Sequence, residues 1–328
     1  MRFVHKWTQC IVESIRDVTP QIREITLRPD GFAIPHYPAG SHLDVGTIID
    51  GQPATRSYSL VGEPMADRYR IGVRLAPDSR GGSRYMWSLR PGARLDVTLP
   101  RNNFEVDWQR EHYCLIAGGV GITPILGIAA TLIRRGAQVQ LHYAVRSRKD
   151  AAFLAELAAL LGDRLQLYRS DEGQRLDLGR TIAKLPPAAM AVLCGPMRLL
   201  DDARQCWREA GRPPVDLRFE TFGSSGLLPT ADFRVRINSS GAEIVVPRDR
   251  SMLDALNAAG FEVISDCERG ECGICAINVV AVEGEIDHRD VFFSDHQKQC
   301  NEKICPCVSR AIGTLTVDTL SYGSGAPG

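Results

Sequence analysis

The chain has 328 residues, enough for two or three domains, and its apolar fraction of 44% is ordinary for globular proteins. Its 39 basic and 39 acidic residues give a net charge of zero, which argues against a general nucleic-acid binder or a polybasic membrane binder. No segment resembles a signal peptide or approaches the roughly 18 apolar residues of a transmembrane helix. Six of the ten cysteines lie in the segment 267–307, which favours a metal site in a reducing cytoplasm over a secreted disulfide framework. We expect a cytoplasmic protein with no nucleic-acid or membrane partner.

The first part of the chain predicts a small antiparallel β-barrel, which we assign to residues 1–108. Gly and Pro interrupt short apolar segments at intervals of roughly 8–12 residues, which is typical of barrel strands. A short helix is predicted to begin near Gly82 and to end before Pro91. The predicted strands are Ile22–Leu27, His42–Val45, Arg56–Leu60, Tyr69–Arg74 and Arg94–Leu99.

Two polar segments of this barrel have residues suited to a phosphorylated ring. Arg56-Ser57-Tyr58-Ser59 ends a strand, and there an Arg suits a phosphate, a Tyr suits a flat ring and a Ser can hydrogen-bond a ring nitrogen. Arg80-Gly81-Gly82-Ser83 precedes the short helix and is a second candidate phosphate-binding turn. Taken alone, the first segment is an ordinary polar strand and the second an ordinary glycine turn.

Residues 109–222 predict an α/β domain. Strands and amphipathic helices alternate, which is typical of a parallel sheet covered by helices on both faces. We predict that Thr123 caps a helix beginning at Pro124, that Asp150 caps the next helix, and that a third helix covers 197–210. The predicted strands are Tyr113–Ala117, Gln140–Val145, Leu165–Tyr168, Ala189–Cys194 and Val215–Thr221.

Glycine-rich turns follow two of these strands. Gly118-Gly119-Val120-Gly121-Ile122-Thr123-Pro124 lies between a strand and a helix, where glycines let the backbone approach a pyrophosphate and the helix N-terminus offers free N–H groups. Cys194-Gly195-Pro196-Met197 occupies the same position after a later strand. One such turn is weak evidence, because a tight turn need not bind anything. Two turns at the carboxyl ends of strands in an open α/β sheet favour a nucleotide site.

The remaining residues predict a linker over 223–231 and a third domain over 232–328. Ser251 and Asp254 predict a capping box for a helix that ends at Ala259. The predicted strands are Phe233–Asn238, Glu243–Val246, Ala276–Ala281 and Leu315–Thr319.

A cysteine loop in this third domain has the spacing of a plant-type [2Fe–2S] site. The segment Cys267–Cys275 contains a C-x4-C-x2-C motif, and Cys305 or Cys307 offers a fourth thiol. Two glycines of the loop (Gly270, Gly273) allow the tight turn that directs three thiolates toward one pair of irons. The alternatives are a disulfide loop and a structural zinc site, but zinc usually takes paired C-x2-C motifs.

The motifs taken in order make the chain resemble the phthalate dioxygenase reductase family, which includes vanillate demethylase reductases. The resemblance covers nearly the whole length. It implies an FMN-binding barrel, an NADH-binding α/β domain and a C-terminal β-grasp ferredoxin domain. The motifs that carry it are Arg56–Leu60, Arg80–Ser83, Gly118–Pro124, Cys194–Pro196, Phe219–Phe222, the cysteine loop, Asp287–Asp290 and Cys307–Arg310.

The resemblance also implies roles for individual residues. Arg56 should hold the FMN phosphate, Tyr58 should lie against the isoalloxazine, and Ser59 should lie near its N5. Ser59, Thr123, Cys194 and Phe222 are placed where the nicotinamide meets the flavin. The implied cofactor residues are Arg56, Ser57, Tyr58, Ser59, Val73, Arg80, Gly81, Gly82, Ser83, Gly118, Gly119, Gly121, Thr123, Cys194, Gly195, Pro196 and Phe222, and the implied cluster ligands are Cys267, Cys272, Cys275 and Cys307.

Two features depart from the family pattern. Cys300 and Cys305 add thiols near the expected fourth ligand, but the C-V-S-R sequence favours Cys307 and leaves the others as bystanders that pack as small hydrophobes. Arg146 and Arg148 follow a strand at the position where the 2′-phosphate of NADPH would bind. The family leans to NADH, and a solvated basic loop also explains these arginines.

The resemblance therefore implies a monomeric reductase component of a Rieske-type aromatic oxygenase or demethylase. Electrons would pass from NADH to FMN, then to the [2Fe–2S] cluster, and then to the oxygenase. The charged residues that flank the cluster ligands, Glu268, Arg269 and Glu271, are hypothesised to dock this partner. One alternative is a cytochrome P450 partner for the same enzyme, and another is a flavin-free iron–sulfur carrier or sensor.

Overall fold

The structure of the chain, a computed structural model, describes residues 6–49, 51–76, 81–222, 228, 231–248 and 250–319. The chain forms two compact units, one ending at Glu220 and the other beginning at Thr221. Arg80 and most of the predicted linker over 223–231 lie outside the described residues. No described helix is both long enough and apolar enough to cross a lipid bilayer.

The N-terminal sheet is an antiparallel barrel, which confirms the predicted class. Its strands are β1 (Trp7–Thr19), β2 (Ile22–Pro29), β3 (His42–Ile49), β4 (Gln52–Ser59), β5 (Tyr69–Arg74) and β6 (Arg94–Thr98), with helix α1 (Gly82–Ser88) between β5 and β6. The strand order is β4-β3-β6-β1-β2-β5. The outer strands meet where Leu60 pairs with Ile71 and the Val61 N–H donates to the Arg70 carbonyl (2.8 Å). This contact closes the sheet, so its edges are paired.

The second sheet is parallel, as the alternating pattern predicts. Its elements are β7 (His112–Gly118), α2 (Ile122–Arg134), β8 (Gln138–Val145), α3 (Leu154–Leu161), β9 (Leu165–Arg169), α4 (Leu178–Ala183), β10 (Met190–Cys194), α5 (Met197–Glu209) and β11 (Leu217–Glu220). The strand order is β11-β10-β7-β8-β9, and every neighbouring pair is parallel. The central strands β7 and β10 are almost entirely apolar and buried because both faces of a parallel sheet are covered.

Two predicted helix caps in this domain are wrong. The residue before α2 is Gly121, and Thr123 lies inside the helix with its hydroxyl donating to the Val120 carbonyl (2.9 Å). The glycine-rich turn is itself helical, so the helix begins earlier than a Thr cap would require. Asp150 accepts hydrogen bonds within a short 3-10 turn, and α3 begins only after Phe153, whose φ of 57° is left-handed.

The barrel and the parallel sheet share one hydrophobic core. Ile22, Ala39 and Val61 of the barrel region pack in the same buried cluster as Ile125 and Ile128 of α2. Charged side chains join the same two parts, because Glu24 of β2 and Glu156 of α3 both pair with Arg70 and with Arg16. This shared packing explains why both sheets belong to one compact unit.

The C-terminal unit contains a mixed sheet of the ferredoxin type. Its elements are β12 (Phe233–Ile237), β13 (Glu243–Val246), α6 (Met252–Ala258), β14 (Ile277–Asp287), α7 (Asp295–Cys300), β15 (Lys303–Ile304) and β16 (Arg310–Asp318). The strand order is β13-β12-β16-β14-β15, with β12 and β16 parallel and the other pairs antiparallel. Half of the predicted capping box of α6 is confirmed, since Ser251 Oγ accepts from the Asp254 N–H (3.0 Å). The Asp254 carboxylate accepts from the Ser251 hydroxyl (2.7 Å), not from the Ser251 N–H.

A buried histidine in β8 makes the stability of the first unit depend on pH. Burial lowers the pKa of His142 to about 4, and its ring pairs with the Tyr168 hydroxyl (2.9 Å). Between pH 6.5 and 4 the unfolded chain binds a proton that the folded chain does not, so acid favours unfolding. We expect the free energy of unfolding to fall by up to about 3 kcal/mol over this range. Urea titrations at several pH values should show this loss in the wild type and less of it in His142→Gln; equal pH dependence would contradict the assignment.

Candidate functional site

Arg56 forms a cationic position on the barrel surface. In the described part of the chain its hydrogen bond runs to the preceding carbonyl (2.7 Å), and no carboxylate pairs with it. Arg56 lies against the start of α1, because a Cβ on Gly82 would be 2.7 Å from Arg56 Nε. Gly81 has a φ of +94°, and Ser83 Oγ accepts from the Ala76 N–H (3.3 Å). A guanidinium without a carboxylate partner beside a glycine turn has the chemistry to hold a phosphate.

Neighbouring residues of β4 project to opposite faces of the strand. Tyr58 is half-buried against the barrel core, and burial raises the pKa of its phenol, which keeps the ring neutral. Ser57 Oγ instead donates to Asp44 Oδ1 (2.5 Å), so this hydroxyl already has a partner within the barrel. Val73 is buried in the same core. The structure places these residues, and their contacts with a flavin remain predictions.

The two glycine turns meet at the carboxyl edge of the parallel sheet. A Cβ on Gly121 would lie 2.2 Å from the Cys194 carbonyl oxygen, and one on Gly118 would lie 2.6 Å from Pro196 Cδ. A Cβ on Gly195 would lie 3.1 Å from the Gly118 nitrogen. The turns therefore pack backbone against backbone, which side chains at these positions would prevent. This edge is where nucleotides bind to open parallel sheets.

Side chains fix the first turn and place it against the barrel. The Tyr143 hydroxyl donates to the Gly119 carbonyl (3.1 Å) and accepts from the Ala152 N–H (3.1 Å). Thr123 faces β5, since a Cβ on Gly72 would lie 2.5 Å from Thr123 Cγ2. The nucleotide-type turn and the barrel therefore touch, with Thr123 at their junction.

A buried pair at the same edge joins the barrel to the last strand of the parallel sheet. Ser59 Oγ donates to Glu220 Oε2 (3.1 Å), and the two residues are 5% and 1% exposed. Glu220 ends β11, directly beside Cys194 at the end of β10. Sequence reasoning named Ser59 and Cys194 but missed Glu220, although the motif Phe219–Phe222 was recognised. The signal available was an acidic residue at the carboxyl end of a buried strand.

The cysteine loop is shaped by residues in the left-handed region. Glu268, Gly270 and Gly273 have φ values of 51°, 75° and 69°. A Cβ on Gly270 would lie 2.9 Å from Asp290 Cα, and one on Gly273 would lie 2.3 Å from the Phe292 ring. The two predicted glycines are therefore required both by backbone angle and by close packing.

Among the predicted cluster thiols, Cys275 lies in a setting that favours its thiolate, whereas burial raises the pKa of Cys272 and the hydrogen bond with Cys275 raises the pKa of Cys307. A backbone N–H two residues on donates to Cys267 Sγ (3.4 Å), and Cys272 is partly exposed. Cys275 Sγ lies 3.3 Å from Cys307 Sγ, and hydrogen bonds with Cys305 and Cys307 lower the pKa of Cys275. Thiolates are the form that binds iron. Among the described residues no three Cys, His, Asp or Glu side chains are arranged around a single ion, so the cluster assignment rests on spacing and on family.

Glu271 of the loop is held within the C-terminal unit. Its Oε1 accepts from the N–H and the hydroxyl of Thr221 (2.9 and 3.1 Å), and its Oε2 lies 3.4 Å from Arg269 Nη2. The Arg269 and Glu271 side chains are only 11% and 15% exposed, which does not suit the hypothesis that they dock a partner. Glu268 alone of the three is exposed, and Phe222 is 42% exposed.

Comparisons with known proteins agree with this arrangement. The family described as the 2Fe-2S iron-sulfur cluster binding domain matches residues 235–311, and the oxidoreductase NAD-binding domain matches residues 115–205. The heme-dependent oxidative N-demethylase beta subunit of Ectopseudomonas mendocina (strain ymp) is 37% identical over 92% of this chain and 96% of the relative. The vanillate O-demethylase oxidoreductase of Pseudomonas sp. (strain HR199) is 36% identical over 94% of this chain and 98% of the relative.

A solved structure shows the same architecture over nearly the whole chain. Phthalate dioxygenase reductase, described as a modular structure for electron transfer from pyridine nucleotides to [2Fe–2S], is 31% identical with a TM-score of 0.78. The match covers 95% of this chain and 98% of that one. At this coverage the match extends over the barrel, the parallel sheet and the ferredoxin-type sheet. The chain therefore belongs to the phthalate dioxygenase reductase-like family of oxidoreductases, which carry an NAD-binding domain and a [2Fe–2S] domain in one polypeptide.

Proposed function

We propose that this chain is the monomeric, cytoplasmic reductase component of an oxygenase or demethylase. FMN is assigned to the barrel (1–108), NADH to the parallel sheet (109–222) and the [2Fe–2S] cluster to the ferredoxin-type domain (232–328). The observation that supports this most is near full-length similarity to demethylase components in a chain that carries all three sites. When bound, the cofactors supply hydride transfer and its division into single electrons.

In this proposal the barrel residues bind and orient the flavin. The Arg56 guanidinium, which has no carboxylate partner among the described residues, would hold the FMN phosphate beside Gly81 and Gly82. The neutral Tyr58 ring would offer its face to the flavin. A dianionic phosphate bound at this position would pair with the positive charge of Arg56, which is otherwise solvated.

The Ser59–Glu220 pair would hold one hydroxyl in a fixed direction beside the reacting ring. The Ser59 hydroxyl donates its hydrogen to the Glu220 carboxylate. The hydrogen therefore points away from a ring on the other side, toward which the hydroxyl oxygen can only accept a hydrogen bond. Both residues are buried, which excludes water from this edge. Cys194 and Thr123 would line the same edge of the parallel sheet. The proposal also includes the predicted role of Phe222 at the nicotinamide.

The turn after β8 favours NADH over NADPH. The Ser147 N–H and hydroxyl both donate to Asp150 Oδ2 (3.1 and 2.6 Å), so this serine is not available to a 2′-phosphate. The Asp150 carboxylate would also repel a phosphate at this turn, whereas Arg146 and Arg148 are exposed on either side. These contacts support the family preference for NADH.

The proposed electron path is tested by an anaerobic absorption spectrum followed by separate additions of NADH and NADPH. Flavin and iron–sulfur bands that bleach rapidly with NADH, and much more slowly with NADPH, are expected. Extraction of the flavin should yield FMN. Cluster bands without flavin and without bleaching would overturn the reductase and support the flavin-free carrier.

The electron acceptor is proposed to be a Rieske-type terminal oxygenase component. A haem protein is the second candidate, because one relative is named as a subunit of a heme-dependent demethylase. Reconstitution with each class of partner separates them: substrate turnover with the Rieske protein alone supports the first, and turnover with the haem protein alone supports the second.

We propose that the partner contacts the exposed face of the cysteine loop, formed by Glu268, Ile274 and Phe292. Ile274 and Phe292 are 50% and 47% exposed, and Phe292 lies on the loop glycine Gly273. Apolar side chains at the centre of an interface contribute most to its affinity. Ile274→Ser should slow electron transfer to the oxygenase about tenfold or more. The matched variant Val245→Ser, on the exposed edge strand β13, should not; equal rates for the two variants would contradict this surface.

A further inference from the structure

A fifth thiol lies against the candidate cluster ligands. Cys305 is fully buried and packs in one cluster with Cys275, Cys307, Leu253 and Phe293. In this cluster Cys275 Sγ lies 3.3 Å from Cys307 Sγ. A cysteine that packs only as a small hydrophobe has apolar neighbours, whereas Cys305 packs with two ligand-type cysteines.

The backbone presents Cys305 and Cys307 from a single turn. The Cys305 carbonyl accepts from the N–H groups of Val308 (3.3 Å) and Ser309 (2.9 Å). Between the two cysteines, the Pro306 carbonyl accepts from the Leu253 N–H (3.0 Å), and the proline ring fixes its own φ. Because Cys275 packs in the same cluster as Cys305 and Cys307, an iron bound by Cys275 would lie near the thiols on both sides of Pro306.

We propose that Cys305 is a reserve ligand that takes the place of Cys307 in the [2Fe–2S] cluster. The exchange breaks the bond between iron and Cys307 and forms one to Cys305; the Cys305 thiol gives up a proton, the released Cys307 thiolate takes one up, and no electron is transferred. Cys307 is 8% exposed and Cys305 is 0% exposed, so the reserve thiol is the better protected of the two. The inference rests on the cluster of the proposed function and deepens it.

The test compares Cys307→Ala, Cys305→Ala and the double variant in the full chain, purified without air. Iron and acid-labile sulfide per chain are measured, with the electron paramagnetic resonance spectrum after reduction. Cys305→Ala should match the wild type. Cys307→Ala should keep about half or more of the wild-type iron content, with shifted g values. The iron content of the double variant should fall about tenfold or more below that of the wild type. Flavin content reports whether each chain has folded.

Four outcomes test the reserve role of Cys305 and the proposed function on which it rests. A Cys307→Ala variant as empty as the double variant would overturn the reserve role. Loss of the cluster in Cys305→Ala, with a wild-type spectrum in Cys307→Ala, would also overturn it by making Cys305 the native ligand. Cys300→Ala combined with Cys307→Ala should keep its cluster, which excludes the exposed thiol of α7 as the substitute. A wild-type chain that binds no cluster would instead refute the proposed function itself.

Discussion

Replacing Cys267 with alanine should stop electron transfer to a protein acceptor while NADH still reduces the flavin. Cys267 is buried in the cysteine loop, and its sulfur accepts a backbone N–H (3.4 Å), so its loss removes a predicted ligand from the buried part of the site. We expect the rate of oxygenase reduction to fall about 100-fold or more. Ferricyanide, which can take electrons directly from a flavin, should still be reduced by NADH.

The control for this prediction is a cysteine outside the loop. Cys206 lies on α5 and is partly exposed, so Cys206→Ala should keep the iron content and both electron-transfer rates. Iron analysis and the two rates are measured on the same preparations. An unchanged cluster in Cys267→Ala would exclude that residue as a ligand. Loss of both oxygenase reduction and ferricyanide reduction in this variant would show that the two reactions are not separable.

Adding one methyl group at Gly121 should disrupt the nucleotide edge. Gly121 has helical angles (φ −60°), so alanine is allowed there by its backbone, but its Cβ would lie 2.2 Å from the Cys194 carbonyl oxygen. The two turns must then separate. We expect Gly121→Ala to lower the free energy of unfolding by about 1–3 kcal/mol and to weaken NADH binding by tenfold or more, roughly the effect of losing 1.4 kcal/mol of binding energy.

Gly179 provides a matched substitution in the same domain. It lies in α4, and the nearest atom to a Cβ there is 3.7 Å away, which is an ordinary contact. Gly179→Ala should leave NADH binding unchanged and raise the free energy of unfolding by about 0.5–1 kcal/mol, because alanine loses less backbone freedom than glycine. Titration calorimetry and urea unfolding measure both quantities. Similar behaviour of the two variants would show that the turns do not constrain each other.

The fold was predictable from the sequence where local patterns repeat. Alternating strands and helices predicted the parallel sheet, and the spacing of Gly and Pro predicted the barrel. Two six-residue helices with weak local signals, α4 and α7, were missed. The cap at Thr123 failed because the glycine turn before it is already helical, which depends on packing against Cys194 rather than on local preference.

The candidate site was predictable where motifs are contiguous and less so where residues meet across the fold. The cysteine loop and the two glycine turns are local, and their residues were named. Glu220 was missed because its partner Ser59 lies 161 residues away, so that no sequence spacing reveals the pair. The docking hypothesis treated Glu271 as a surface charge, whereas Thr221 and Arg269 enclose it. Burial of a charged side chain is a tertiary property that composition cannot show.

The position of β16 in its sheet has a consequence for biosynthesis. This strand is the last of the described strands along the chain, yet it lies in the middle of the order β13-β12-β16-β14-β15. While the ribosome still holds residues 310–318, β12 and β14 have no strand between them and their facing backbone edges stay unpaired. The barrel and the parallel sheet, whose last strand ends at Glu220, can fold during translation. We therefore expect iron to be delivered after the first unit is complete, so cells starved of iron should accumulate a flavin-loaded, cluster-free protein.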